Sequence, residues 1–137
     1  MKTIRKILVP LDGSKHSQRA LELAIAISSD KNTTITGLHV IRFPIISKSK
    51  IKDQYRKIAV KIIGHATKMA KKDGVSFNGK IGSNGYVGKQ IVRAAQDGKF
   101  DVIVMGSRGP NPIAEMFLGS VANYVLNKSK IPVLIVK

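Results

Sequence analysis

The residues best suited to chemistry lie late in the chain, where Gly106-Ser107-Arg108-Gly109 is followed, after nine intervening residues, by Gly119-Ser120. Glycine has no β-carbon, so a backbone built from it can take positive φ and come close to an oxyanion. Successive N–H groups then form an anion nest. Gly119 and Ser120 stand where a helix should begin, and the first turn of a helix offers unpaired N–H donors at the positive end of its dipole. Ser120 adds a hydroxyl, and Arg108 can add a charge-assisted contact. The chemistry implied is the gripping of phosphate oxygens. The plain alternative is that the two loop glycines only turn the chain and that Gly119-Ser120 is an ordinary helix start. The other common phosphate loop, Gly-x-x-x-x-Gly-Lys-Ser/Thr, does not occur. A second place with chemical capacity is Asp12-Gly13-Ser14, whose carboxylate can accept hydrogen bonds from a diol or cap the following helix.

Other chemistries are excluded or weak. Without cysteine there are no disulfides, thiolate metal sites or thiol nucleophiles. His16, His39 and His65 fall in separate elements at no ligand spacing, so no dedicated metal site and no catalytic residue is expected. His39 reads as a packed strand histidine. Asp12 and Glu115 are the only acids near the glycine loop, too few for efficient hydrolysis, which wants a placed base and metal-held phosphates.

The elements that must position these residues follow from periodicity. Strands are expected at Ile4 to Pro10, Thr34 to Ile41, Val75 to Ile81, Asp101 to Gly106 and Ile131 to Lys137. The first, second and fourth are nearly continuous apolar runs, as central parallel strands should be. In the third, Val75, Phe77 and Ile81 alternate with Ser76, Asn78 and Lys80, the pattern of an edge strand. Pro132 puts the fifth at an edge as well, or stands at its first position. Four helices fill the gaps. Ser14 caps the first, which turns Leu21, Ala24, Ile25 and Ser28 to one side. The second carries Ile51, Tyr55, Ile58, Ala59, Ile62, Ala66, Met69 and Ala70 at helical spacing and stops at Gly74. The third shows Val87, Ile91, Ala94 and Ala95, and the fourth Leu118, Val121, Ala122 and Val125. Strand and helix in strict alternation, with right-handed crossovers and edges at the third and fifth strands, give an α/β fold: a five-stranded parallel sheet of order 3-2-1-4-5 with helices on both faces. In such a sheet ligands bind beyond the carboxyl ends of the first and fourth strands. Topology therefore selects Asp12-Gly13-Ser14 and Gly106 to Gly109 independently of any motif, and this favours the phosphate reading.

The chain of 137 residues, 43% apolar, is expected to form a single domain spanning 1–137. Its N-terminus is too briefly apolar for a signal peptide and no stretch approaches a membrane span, so a cytoplasmic protein without a membrane partner is expected. Its formal charge of +16 is uneven, with ten basic residues and one acid, Asp53, between Arg42 and Lys72. Such a face could bind nucleic acid or an acidic membrane. With only Tyr55 interleaved for stacking, solvated surface is the simpler expectation.

These residues together resemble the universal stress protein family along the whole chain. The likeness is carried by Ile7-Leu8-Val9-Pro10-Leu11-Asp12-Gly13-Ser14, Leu38-His39-Val40, Asp101-Val102-Ile103-Val104-Met105-Gly106-Ser107-Arg108-Gly109, Gly119-Ser120-Val121-Ala122 and Ile131-Pro132-Val133-Leu134-Ile135-Val136. The resemblance implies a Rossmann-like, adenine nucleotide alpha hydrolase-like fold. Members that bind ATP carry Gly-x2-Gly-x9-Gly-Ser/Thr, and the pattern is complete here. It further implies that Asp12 accepts from the ribose hydroxyls and that Val40 meets the adenine edge through its backbone. Pro10, Leu11 and Met105 would line base and sugar, while Gly106, Arg108, Gly109, Gly119, Ser120 and Val121 would surround the phosphates. Arg108 stands where many relatives have histidine. The implied ligand is ATP, with AMP or ADP as alternatives and Mg2+ or Mn2+ only alongside it. Homodimers would form through strand 131–137, and ATP would act as a switch in stress response or signalling. Slow ATP hydrolysis and polyanion binding through the basic second helix are the other functions weighed.

Overall fold

In the computed structural model, which describes residues 3–28, 32–83, 85–109 and 118–137, strands and helices alternate as the periodicity requires. The strands are β1 (Lys6–Pro10), β2 (Thr34–Ile41), β3 (Ser76–Ser83), β4 (Val102–Gly106) and β5 (Val133–Val136). The helices are α1 (Lys15–Ile27), α2 (Ser49–Lys72), α3 (Val87–Asp97) and α4 (Ser120–Lys128). All pairings are parallel and the sheet order is β3-β2-β1-β4-β5.

Alternation along the central strands splits the core in two. Ile7 and Val9 of β1, Ile35 of β2 and Val102 and Val104 of β4 pack under Ala20, Leu21, Ala24 and Ala66 of α1 and α2. Leu8, Leu38, Val40, Ile103 and Met105 point the other way, against Ile91, Ala95, Ala122 and Val125 of α3 and α4. Every residue of β4 is buried, whereas β3 and β5 contain no buried residue, as edge strands should. Pro132 has no N–H to give, and β5 begins after it, yet its carbonyl accepts the Ile103 N–H at 2.9 Å.

Two expectations need correction. Ile81 was assigned to the buried side of the third strand but is exposed. Its strand has no outer neighbour among the described residues, and α2 closes on β3 lower down, where the Ile63 side chain occupies the place a Cβ of Gly79 would take. In α2 the apolar stripe is buried only at Ala59, Ala66 and Ala70, and Ile51, Tyr55 and Ile58 are exposed. The cause is length. At 24 residues α2 is about 36 Å long, against about 26 Å for the eight residues of β3, so its leading turns overhang the sheet.

Candidate functional site

The site is opened by strands that end at different heights. β1 stops at Pro10, opposite Leu38, while β2 continues to Ile41 alongside β3. The last rung between β1 and β2 is Leu11 N–H to Leu38 O, 2.8 Å. In a strand the N–H and C=O of one residue point to the same side and alternate with the next residue. Those of Val40 therefore face the side of Leu38's, where β1 has left the sheet. The next rung would join Val40 N–H to Leu11 O, but that carbonyl instead accepts from His39 Nδ1 at 2.6 Å. The ladder stops at the Leu11 N–H, with His39 on the Leu11 carbonyl where Val40 would be next. The His39 Nδ1 must carry the proton, because a carbonyl can only accept.

On the other side of the gap β4 ends at Gly106, paired with Val136, and Ser107 N–H continues to Val136 O at 2.8 Å. Between these strand ends lies a cavity of about 630 Å³, within the range of small-molecule and cofactor sites.

The β1–α1 connection turns at Gly13, which has φ +82°. Asp12 Oδ1 accepts the Ser14 N–H at 2.9 Å, and Ser14 Oγ caps α1 by accepting the Ser17 N–H at 3.1 Å. That leaves Oδ2, which has no donor among the described residues and faces Gly109, where an ideal Cβ would lie 3.4 Å from it. The carboxylate can therefore fix the turn with one oxygen and present the other to the cavity.

The helix start facing this carboxylate is α4. Gly119 is its N-cap, with no side-chain capping bond. One expectation changes here, because the Gly119 N–H is not a spare donor: it goes to Ser107 O at 2.7 Å and ties the helix start to the β4 loop. Among the described residues none accepts the N–H groups of Gly109, Ser120, Val121 or Ala122. These are the amides that a helix start leaves open to an anion. The glycines also work differently from expectation. Positive φ occurs at Gly13, Gly74 and Gly85 but not at Gly106, Gly109 or Gly119. Their use is close approach instead. A Cβ at Gly106 would stand 2.8 Å from the His16 backbone of α1, and one at Gly119 would stand 3.4 Å from Arg108 Cα and Ser107 O. Residues 110–117, with Glu115, lie outside the described residues.

All eleven residues singled out in the sequence, namely Pro10, Leu11, Asp12, Val40, Met105, Gly106, Arg108, Gly109, Gly119, Ser120 and Val121, line this one cavity. Sequence reasoning missed Tyr55, Ile58 and Ile62 of α2, Val87 and Ile91 of α3, and His39, Ile41 and Arg42 at the end of β2. The α2 stripe was visible as a helical period, but nothing in it distinguished core from cavity wall. The arrangement gives an apolar chamber with a polar strand edge at Val40, a carboxylate at its middle and amide donors at its far end. Asp12 is the one acid among its described lining residues, and no described group of three His, Asp or Glu could hold a metal.

Comparison with known proteins bears out the fold. The universal stress protein family model matches residues 3–137. The curated universal stress protein YxiE of Bacillus subtilis is 32% identical over 96% of this chain and 98% of its own length. The solved structure of MJ0577, from Methanocaldococcus jannaschii, superposes with a TM-score of 0.79 at 28% identity, covering 99% of this chain and 97% of that one. A universal stress protein solved in complex with cAMP gives the same TM-score and identity, with 99% of each chain covered.

Proposed function

This chain belongs to the universal stress protein family, and from that premise we propose that its crevice binds an adenine nucleotide, ATP in the first place, as a ligand that shifts the conformation or partner surface of a signalling protein. The observation that carries the reading is the pair of backbone features at opposite ends of one cavity: the unpaired edge of β2 at Val40, and the first-turn amides of Ser120, Val121 and Ala122 with that of Gly109. A heterocycle with adjacent donor and acceptor suits the first, and an oligophosphate suits the second. Asp12 Oδ2 stands beside Gly109, where a ribose diol would join the two. Pro10, Leu11 and Met105 supply apolar contact around base and sugar. A relative 28% identical holds cAMP, an adenine nucleotide, which supports the ligand class. A divalent cation would enter with the phosphates, because the cavity offers it one carboxylate.

The same reading takes β5 as the dimer face. Its outer edge has no strand partner among the described residues, and Leu134 beside that edge is exposed. A bare apolar edge is an aggregation hazard unless covered.

The test is to incubate purified protein with ATP and Mg2+, record the thermal midpoint and follow ADP over hours. Ligand at about a hundred times its dissociation constant should add about 2.7 kcal/mol, a rise of about 10 °C for a chain of this size, with little ADP formed. Rapid turnover would make the protein an enzyme, and an unchanged midpoint would remove the nucleotide altogether.

A further inference from the structure

The connection from β2 to α2 contains a feature that a nucleotide site does not need. Pro44, Ile45, Ile46 and Ser47 form a tight turn closed by Ser47 Oγ donating to Pro44 O at 3.1 Å. Turn apices are normally built from Gly, Asn, Asp or Ser, which water solvates well. Here the apex is Ile45-Ile46, and Ile46 is 92% exposed while Ile45 is wholly so. The root of the turn is held. The Phe43 ring packs on Tyr55 at 6.1 Å, and Lys52 and Arg56 lie over it at 5.9 and 5.4 Å. The turn and the first turns of α2, residues 42–57, carry six cations, Arg42, Lys48, Lys50, Lys52, Arg56 and Lys57, and one acid, Asp53, which Arg56 already pairs at 2.9 Å.

We propose that this turn docks the protein on an anionic lipid surface, with Ile45 and Ile46 entering the headgroup region and the surrounding lysines and arginines resting on lipid phosphates. Charge complementarity selects the occupant. A second copy would bring one cationic collar against another. A nucleic acid would use the cations but has no place for two aliphatic side chains, and the apex offers no aromatic ring for stacking. The apex is convex, so a folded partner would need a matching cup, whereas a fluid bilayer needs no complementary shape and rewards this combination of apolar insertion and basic attraction. Among the described residues no helix is long and apolar enough to cross a membrane, so the contact is peripheral. It does not rest on the nucleotide reading, although Arg42 and Tyr55 also line that cavity.

The chain has no tryptophan, so Ile46→Trp places a single fluorophore at the apex. Its emission should shift to the blue on phosphatidylcholine vesicles containing phosphatidylglycerol and stay unchanged on phosphatidylcholine alone. In sedimentation with the anionic vesicles, the double variant Ile45→Ser/Ile46→Ser should bind at least about tenfold more weakly than the parent. Its thermal midpoint should match the parent's, since neither side chain is buried. No blue shift, or a parent that fails to sediment with anionic vesicles, overturns the proposal. Equal binding by the double variant overturns it too, leaving only a basic surface. An oligonucleotide whose binding falls as steeply in that variant would overturn the assignment to lipid.

Discussion

Alanine at Gly106 and at Gly109, one at a time, separates packing from ligand contact within a single loop. At Gly106 the new Cβ would lie 2.8 Å from the His16 carbonyl carbon and 3.0 Å from its oxygen. These are backbone atoms in the first turn of α1, so the helix or β4 must move. Overpacking of this kind costs about 1–3 kcal/mol, which for a chain of this length lowers the thermal midpoint by about 4–12 °C. At Gly109 the nearest atom is Asp12 Oδ2 at 3.4 Å, the end of a side chain, and φ is not positive there. Gly109→Ala should therefore unfold within about 2 °C of the parent, a change of about 0.5 kcal/mol at most. Gly109→Val goes further. Its γ-carbons would project into the space between Asp12 and the α4 amides, and an excluded phosphate would lose at least two charge-assisted hydrogen bonds. At about 1.5–3 kcal/mol each, the loss in ATP affinity is about a hundredfold to ten-thousandfold. Circular dichroism melts without ligand and calorimetric titration with ATP read the two effects separately. The reasoning fails if Gly106→Ala melts with the parent, or if Gly109→Val binds ATP within about threefold of it.

Three further outcomes follow from the same geometry. Asp12→Asn retains an acceptor for the Ser14 N–H and should keep the melting point, yet weaken ATP about tenfold by replacing a charged diol acceptor; equal affinity would detach Asp12 from the sugar. His39→Leu frees the Leu11 carbonyl to pair with Val40 N–H, so calorimetry should show adenosine binding lost and tripolyphosphate binding retained, while His39→Asn restores part of the adenosine affinity. If both ligands weaken equally, His39 does not govern the Val40 edge. Leu134→Arg should leave a folded monomer by light scattering, and a dimer in that variant would move the interface away from β5.

Much of this was legible before any coordinates, for identifiable reasons. The run from Asp101 to Gly106 read as a central strand buried on both faces, and β4 is buried at every position. The alternation from Val75 to Lys80 marked one edge and Pro132 was compatible with the other, and the sheet order followed from taking both as edges. The crevice then followed from topology, and the glycine spacing fell inside it. What escaped depended on where elements end in space. A helical period cannot say that α2 outruns β3, so Tyr55 and Ile58 read as core when they are cavity wall. Glycine spacing cannot say that the Gly119 N–H already serves Ser107 O, which moves the free donors one residue into the helix. His39 read as a packed strand residue because its hydrogen bond to the Leu11 carbonyl, beside the Val40 edge, depends on a contact between two strands.

Amide NMR titration tests the central claim most directly, because it reports on each donor separately. With ATP, the amide signals of Gly109, Ser120, Val121 and Ala122 should shift together with that of Val40. With adenosine, only Val40 among these should move. A titration in which ATP leaves the first turn of α4 unmoved, or shifts the lysine-rich face of α2 instead, would contradict the account.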